Sequence, residues 1–382
     1  MEGKKKIIRM SNIPISMDIF CRDLLRELSE DYEVVALSSP GKELDSIKER
    51  EGVRTIALPM ERRMSPFKDL GSLRRLVKLF KKEKPVMVHS MNPKAGLLGM
   101  MAAKIARVPV RVHTFTGLVF PSATGLKRFI LKTTDRITCR CATHVIPEGE
   151  GVKKDLLAGH ITKKPLKVLG YGNIRGVDMD WYDRTPEVLS KAAGLVREDL
   201  FTFVFVGRIA ADKGVRELVT AFSRILEKRK DVRLLLVGYS EEDDPVGEDI
   251  WKIIDGSDQI VFTGGLVSDV RPYLAASDCL VLPSYREGFP NSPLEAGAMG
   301  LPCIVTDING SNEIIAEGEN GLIVPVKDTE ALYSAMVKLL ENKDLCRKMG
   351  ENARPMVASR YSREIVWNSL KEFYREILKD KK

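Results

Sequence analysis

The stretch S-Y-R-E-G-F-P-N-S-P-L-E-A, Ser284 to Ala296, decides how this chain is read. It follows an apolar run, Cys279-Leu280-Val281-Leu282-Pro283, and leads into Leu294-Glu295-Ala296-Gly297-Ala298-Met299. The run has the length and composition of a strand buried on both faces, and the segment after the turn reads as a short helix. A turn leaving the C-terminal end of a parallel strand is where an open α/β sheet receives its ligand. Free N–H groups at a helix start favour an anion there. Two carboxylates, Glu287 and Glu295, bracket the turn with seven residues between them.

Outward from this turn, short apolar runs alternate with helical patterns along the whole chain. Strands are expected at 6–10, 32–37, 53–58, 86–90, 110–114, 144–147 and 167–169, then at 201–206, 233–237, 259–263, 279–283, 303–306 and 322–324. Helical segments such as 19–28, 73–82 and 215–227 separate them. That rhythm predicts an α/β protein of two doubly wound parallel sheets, and a length of 382 residues agrees with two domains. Glycines at Gly170, Gly172 and Gly176 mark the break between them. The last segment, 362–378, is amphipathic, with Val366, Trp367, Leu370, Phe373, Tyr374 and Ile377 at helical spacing.

Composition narrows the class. No apolar run reaches the ~18 residues of a spanning helix. Lys4-Lys5-Lys6 passes straight into Ile7-Ile8, so no signal peptide is expected. The six cysteines lack zinc spacing and read as reduced residues of a cytoplasmic core. The net charge of +8 hides a split: residues 1–175 hold 34 Lys and Arg against 18 Asp and Glu, and residues 176–382 hold 27 against 35. Between Glu83 and Asp135 stand eight Lys or Arg and no acid. Such segregation points to an anionic partner for the first half alone.

Four constellations bear chemistry. Gly207-Arg208-Ile209-Ala210-Ala211-Asp212-Lys213-Gly214 fills a strand-to-helix loop, where two cations can clamp a diphosphate and glycines let the backbone approach. By itself an Arg and a Lys in a loop are more often solvated surface. In the opening stretch Gly288 permits close ligand approach, Asn291 and Ser292 offer N–H groups, and Pro290 and Pro293 stiffen the turn. Glu295 has an equal claim as a structural residue, because Ser292-Pro293-Leu294-Glu295 fits a capping box with Ser292 as N-cap and Glu295 at N3. His113 ends an apolar run, where a lone histidine is usually structural. Gln259 to Val267 is a strand and glycine-containing loop, for which a plain buried strand is an equal reading. Asp178-Met179-Asp180 spells a metal-nucleotide signature but follows the presumed hinge, so it is read as loop.

Gly-Arg-x4-Lys-Gly at 207–214 and Glu-x7-Glu at 287–295 together resemble the family-four retaining glycosyltransferases, of the GT-B fold. The resemblance implies two Rossmann-like domains facing a cleft. Residues 1–172 would bind the acceptor, 173–361 the donor, and a C-terminal helix in 362–382 would cross back to the first domain. It implies retaining, metal-independent transfer of a hexosyl or N-acetylhexosaminyl group from a nucleotide-diphosphate sugar, UDP being the commoner carrier, with no cofactor. Carried onto this chain, Glu287 meets the sugar, Arg208 and Lys213 hold the diphosphate, and His113 faces the sugar from the first domain. The donor contacts extend to Gly207, Val267, Gly288, Phe289, Asn291, Ser292 and Glu295, with Glu295 on the ribose and Val267 by the base.

On the acceptor side, Lys68 to Lys84 and Lys127 to Lys132 mix apolar and basic residues as helices on anionic lipid do. Either alone reads more readily as a half-buried helix with a solvated basic face; it is the excess of basic residues over the whole first half that favours lipid. Asn92 to Gly99 and Thr116-Gly117-Leu118 resemble transferases that elongate undecaprenyl-diphosphate-linked sugars. The expectation is therefore a cytoplasmic enzyme on the inner face of the membrane, with a lipid-linked saccharide acceptor and no nucleic-acid partner. A transferase with a soluble acceptor and a non-catalytic binding subunit are the alternatives. Many relatives carry paired glycines after the first strand; here Ser11 to Ser16 stands instead, and no role is assigned to it.

Overall fold

The computed structural model describes residues 3–61 and 65–381. The chain divides into two compact units, one formed by Met1–Gly176 with Glu364–Lys382 and the other by Val177–Arg363.

The first unit is built on strands β1 (Lys6–Met10), β2 (Glu33–Ser38), β3 (Arg54–Ala57), β4 (Met87–Met91), β5 (Val110–Phe115) and β6 (His144–Pro147). Its helices are α1 (Pro14–Cys21), α2 (Leu24–Ser29), α3 (Lys42–Glu51), α4 (Pro66–Glu83), α5 (Pro93–Ile105), α6 (Gly125–Cys141) and α7 (Glu150–Ala158). The second holds β7 (Phe201–Val206), β8 (Val232–Val237), β9 (Ile260–Phe262), β10 (Cys279–Leu282), β11 (Cys303–Thr306) and β12 (Gly321–Val324). Around them lie α8 (Pro186–Ala192), α9 (Val215–Lys228), α10 (Glu248–Asp255), α11 (Arg271–Ala275), α12 (Asn291–Ala298), α13 (Ser311–Ile314), α14 (Thr329–Glu341) and α15 (Lys343–Tyr361); α16 (Arg363–Leu378) ends the chain.

Both sheets are parallel throughout, in the orders β3-β2-β1-β4-β5-β6 and β12-β11-β10-β7-β8-β9. The two orders are the same doubly wound topology. Each strand order reverses once, between β1 and β4 in one unit and between β7 and β10 in the other, and that reversal opens a crevice at the strands' C-terminal ends. Helices cover both faces, which is why β4, β8, β10 and β11 are buried at every position. The strand expected at 167–169 does not form; Leu166 makes a single bridge to Val145. The helix expected at 19–28 breaks into α1 and α2, because Asp23 adopts φ 62°. The buried Glu51 carboxylate then accepts the Asp23 and Arg26 N–H groups at 2.9 and 3.1 Å, satisfying the open start of α2.

Helix α16 packs on the first unit. Leu370, Phe373, Tyr374 and Leu378 join the apolar cluster of Ile7, Leu24, Leu28 and Val34, and Tyr374 is wholly buried. Trp367 donates its indole N–H to the Arg175 carbonyl at 2.9 Å, and Lys371 pairs with Glu27 at 2.5 Å. Beneath it, the buried Arg9 guanidinium donates to the Tyr374 hydroxyl at 2.7 Å and reaches His89 Nδ1 at 2.5 Å. Arginine can only donate, so His89 Nδ1 is the acceptor and Nε2–H is left to donate to Thr114 Oγ1 at 2.7 Å. Burial first, and then the Arg9 charge, hold the His89 pKa well below its ordinary value, in keeping with a neutral ring.

Candidate active site

In the second unit the sequence motifs meet at the reversal of strand order. The loop after β7 carries Gly207 to Gly214, and the loop after β10 carries Pro283 to Pro290. Neighbouring strands with the same direction bring the two loops side by side, as the sheet order requires.

The contact is close. Lys213 Nζ donates to Glu287 Oε1 at 2.5 Å, with the side chains only 16% and 15% exposed. The Tyr285 N–H donates to the Asp212 carbonyl at 2.8 Å, and Arg286 reaches Asp212 Oδ2 at 2.9 Å. Gly214 makes this approach possible. It adopts φ 67°, and a Cβ there would lie 2.0 Å from the Pro283 carbonyl oxygen. A second glycine serves the other side of the turn: at Gly310, with φ 75°, a Cβ would lie 2.6 Å from the Gly288 carbonyl oxygen and the Phe289 Cα. The turn at 284–290 is thus held between two neighbouring loops, backbone against backbone. Thr306 Oγ1 adds a bond to the Ser284 carbonyl at 2.5 Å, and the Phe289 ring packs against Tyr361, centroids 5.5 Å apart.

Arg208 donates to Glu241 Oε2 at 3.0 Å and lies 3.7 Å from Asp212 Oδ1. Glu241 belongs to the loop after β8, which is tied to the clamp loop by Ile209 N–H to the Tyr239 carbonyl at 2.8 Å and Ala211 N–H to the Asp244 carbonyl at 3.0 Å. Asp212 N–H also donates to Asp244 Oδ2 at 2.8 Å. Arg208 and Lys213 therefore each have a carboxylate partner in this unit. Asp212, Glu241 and Asp244 were not among the residues singled out in the sequence. The acidic run Glu241-Glu242-Asp243-Asp244 after a strand was the signal that could have drawn attention to them.

The structure corrects one reading of Glu295. Helix α12 begins at Asn291 with Pro290 as N-cap, so Ser292 lies inside the first turn and accepts no capping bond. Glu295 stands one turn further on, 8% exposed, and the capping box is absent. The helix starts earlier than the apolar pattern suggested, with Pro290 extended at its N-cap. Gly288, Asn291 and Ser292 are half-buried at the turn. Gly207 donates its N–H to the Val237 carbonyl at 3.0 Å. Val267 lies beyond β9, half-buried against the core, beside an exposed Leu266. Asp178 of the D-x-D sequence accepts the Asp180 and Trp181 N–H groups and pairs with Arg363 at 2.7 Å, which is a structural use.

His113 lies in the first unit, near the end of β5, and is 1% exposed. Its Nδ1 is 2.9 Å from Ser90 Oγ, its ring packs edge-on to Phe115, and the α5 backbone at Gly96 leaves no room for a Cβ beside it. Burial pushes its pKa down to about 3, so the ring is neutral at ordinary pH. At this unit's own reversal point Ser11 Oγ lies 2.6 Å from Asn92 Oδ1, so the serine of the loop without assigned role links the ends of β1 and β4.

Residues 201–342 match the family described as "Glycosyl transferases group 1", and residues 17–172 match "Glycosyl transferase 4-like domain". The chain is 33% identical to the capsular polysaccharide biosynthesis glycosyltransferase CapM of Staphylococcus aureus, over 94% of this chain and 93% of that one. It is 29% identical to an Escherichia coli UDP-Gal:α-D-GlcNAc-diphosphoundecaprenol α-1,3-galactosyltransferase, over 87% and 86%. Among solved structures, Anabaena Alr3699/HepE in complex with UDP superimposes with a TM-score of 0.81 at 18% identity, over 98% of this chain and all of that one. The likeness places both units in the GT-B fold.

Proposed function

Because the chain belongs to the group 1 glycosyl transferases, we infer that it moves a sugar from a nucleotide-diphosphate donor to a lipid-linked saccharide, with retention of anomeric configuration. The observation that carries the reading is the Lys213–Glu287 pair at the point where the strand order reverses. Arg208 and Lys213 receive the diphosphate and stabilise the charge that grows on it as the glycosidic bond breaks, in this reading without a metal. Glu287, released by Lys213 when phosphate arrives, orients the sugar, and Glu295 takes the ribose. Val267 and the backbone at Gly207, Gly288, Phe289, Asn291 and Ser292 complete the donor contacts. His113, as a neutral ring, serves by hydrogen bonding rather than by proton transfer, since a group with a pKa of about 3 is a poor base at pH 7.

The names of the relatives support the substrate classes. One acts in capsular polysaccharide biosynthesis, and another takes UDP-Gal to a diphosphoundecaprenol-linked acceptor. In this reading the donor is a UDP-sugar and the acceptor an undecaprenyl-diphosphate-linked saccharide, which those relatives' substrates support. The basic first half favours attachment to an anionic membrane surface, and no helix among the described residues is long and apolar enough to cross a bilayer.

The test is transfer of radiolabelled sugar from a panel of UDP-sugars to a lipid-diphosphate-linked saccharide, with the product's anomeric configuration read by NMR. Lys213→Ala is expected to lower turnover about 10²–10³-fold, the usual cost of removing one group that stabilises developing charge. Unchanged turnover in that variant would remove Lys213 from the mechanism.

A further inference from the structure

Helices α4, α5 and α6 form one layer, α4 packing on α5 and α5 on α6. All three return antiparallel to the strands, so their N-terminal ends lie together at the C-terminal edge of the first sheet. From Leu131 onward α6 is anchored, with Asp135, Thr138, Cys139 and Cys141 buried. Its first six residues, Gly125 to Ile130, are all exposed. Leu126 is 73% and Phe129 63% exposed, and Ile130 joins them on one face, at spacings of three and four. Lys127, Arg128 and Lys132 flank that face. The start of α4 repeats the pattern: Phe67 is 92% exposed and Leu70 47%, beside Lys68.

Water alone gives no reason for five large apolar side chains to stand clear of the core at one edge, interleaved with cations. The acids nearby are already committed: Asp69 pairs with Lys94 at 2.8 Å and Glu61 with Lys68 at 2.7 Å, and no acid occurs between Glu83 and Asp135. A protein partner of mixed charge would be met by both signs. The complement of this surface is an anionic layer with an apolar interior, which is a bilayer. The α5 helix separates the two tips by about 20 Å at ordinary helix packing distances, so two anchors fix an orientation where one would allow rotation.

We propose that the exposed starts of α6 (Leu126, Phe129, Ile130) and α4 (Phe67, Leu70) insert into an anionic bilayer, with Lys127, Arg128 and Lys132 on its headgroups. The proposal rests on the lipid-linked acceptor inferred above, and it separates insertion of apolar side chains from adsorption by charge. Long basic side chains lie along the apolar surface and keep their charged ends at the headgroups, which lets both residue types occupy the same turn.

The experiment uses the full chain and vesicles of phosphatidylcholine with phosphatidylglycerol, set against phosphatidylcholine alone. Flotation is expected with the first and weak with the second. Leu126→Ser with Phe129→Ser is expected to lower partitioning about tenfold or more at unchanged salt. The single variant Phe129→Trp reports depth: its emission shifts to the blue and is quenched by brominated acyl chains. Binding without such quenching means surface adsorption and overturns insertion, as does a Leu126→Ser/Phe129→Ser double variant that partitions like the parent. Turnover with a water-soluble, short-chain acceptor analogue is expected to be unaffected by these substitutions. If the parent chain fails on that analogue, the transferase reading fails, whatever the vesicles show.

Discussion

Gly214→Ala tests whether the site depends on the contact between two loops rather than on the presence of the motif residues. Gly214 has φ 67° and ψ 24°, and an L side chain in that region costs about 1 kcal/mol or more. The new Cβ would also lie 2.0 Å from the Pro283 carbonyl oxygen, at the end of β10. Relief requires the β7–α9 loop to retreat by about 1 Å, since a carbon and an oxygen out of bonding contact settle beyond ~3 Å. Strain and retreat together are expected to cost about 2–3 kcal/mol, which for a unit of this size lowers Tm by roughly 4–12 °C. The retreat carries Lys213, the preceding residue, away from Glu287. A misplacement of about 1 Å in a positioned group costs on the order of 10²-fold in turnover. Differential scanning fluorimetry and steady-state transfer, measured well below the variant's Tm, read both effects. Gly318→Ala is the control: φ is 80° but open space surrounds the Cβ, so it is expected to show the backbone strain of about 1 kcal/mol and normal turnover. A Gly214→Ala variant with normal Tm and turnover within about twofold of the parent would refute the reasoning, because the clash would have been relieved without moving Lys213.

Two further outcomes follow from burial. Glu295→Gln keeps the shape of a side chain on a buried turn of α12 and removes its charge, so donor KM is expected to rise about tenfold with kcat little changed, as for a contact made equally in ground and transition states. Equal losses in kcat and kcat/KM would instead place Glu295 with the reacting atoms. In the first unit Asp135 is buried on α6, and burial alone raises its pKa to about 7 from 3.8. The unfolded chain gives up this proton more easily than the folded one, so the group costs stability above about pH 7 and costs nothing below about pH 4. Asp135→Asn is therefore expected to raise Tm at pH 8, by up to about 4 kcal/mol in stability, with the gain shrinking as pH falls toward 4. A gain independent of pH would show that the ionisation of Asp135 has no part in it.

The fold was legible because its signals are local. Apolar runs such as Val232–Val237 and Cys279–Leu282 are buried on both faces, and the residues between them carry helical periodicity, so strands, helices and their alternation could be counted along the chain. The errors fall where a distant group decides a local boundary. Residues 19–28 look like one helix, yet Glu51, at the end of α3, caps a second start at Leu24. Ser292-Pro293-Leu294-Glu295 looks like a capping box, yet the chain enters α12 at Pro290, where the neighbouring loop at Gly310 presses on the turn.

For the site, the sequence by itself determined the residue types: two carboxylates on one turn, two cations on one loop, and a basic first half. Only the tertiary structure decided which of them meet. The sheet order puts β7 beside β10, and so places Lys213 against Glu287 across 74 residues of chain. It also brings Glu241, from the loop after β8, onto Arg208, a partner that the motif does not contain. Likewise, amphipathic spacing marked α4 and α6, while the exposure of Phe67, Leu126 and Phe129 depends on where the neighbouring helix stops covering them. Spacing along a chain encodes periodicity and chemistry. Pairing and exposure belong to the packed sheet and its helices, because they depend on which elements become neighbours.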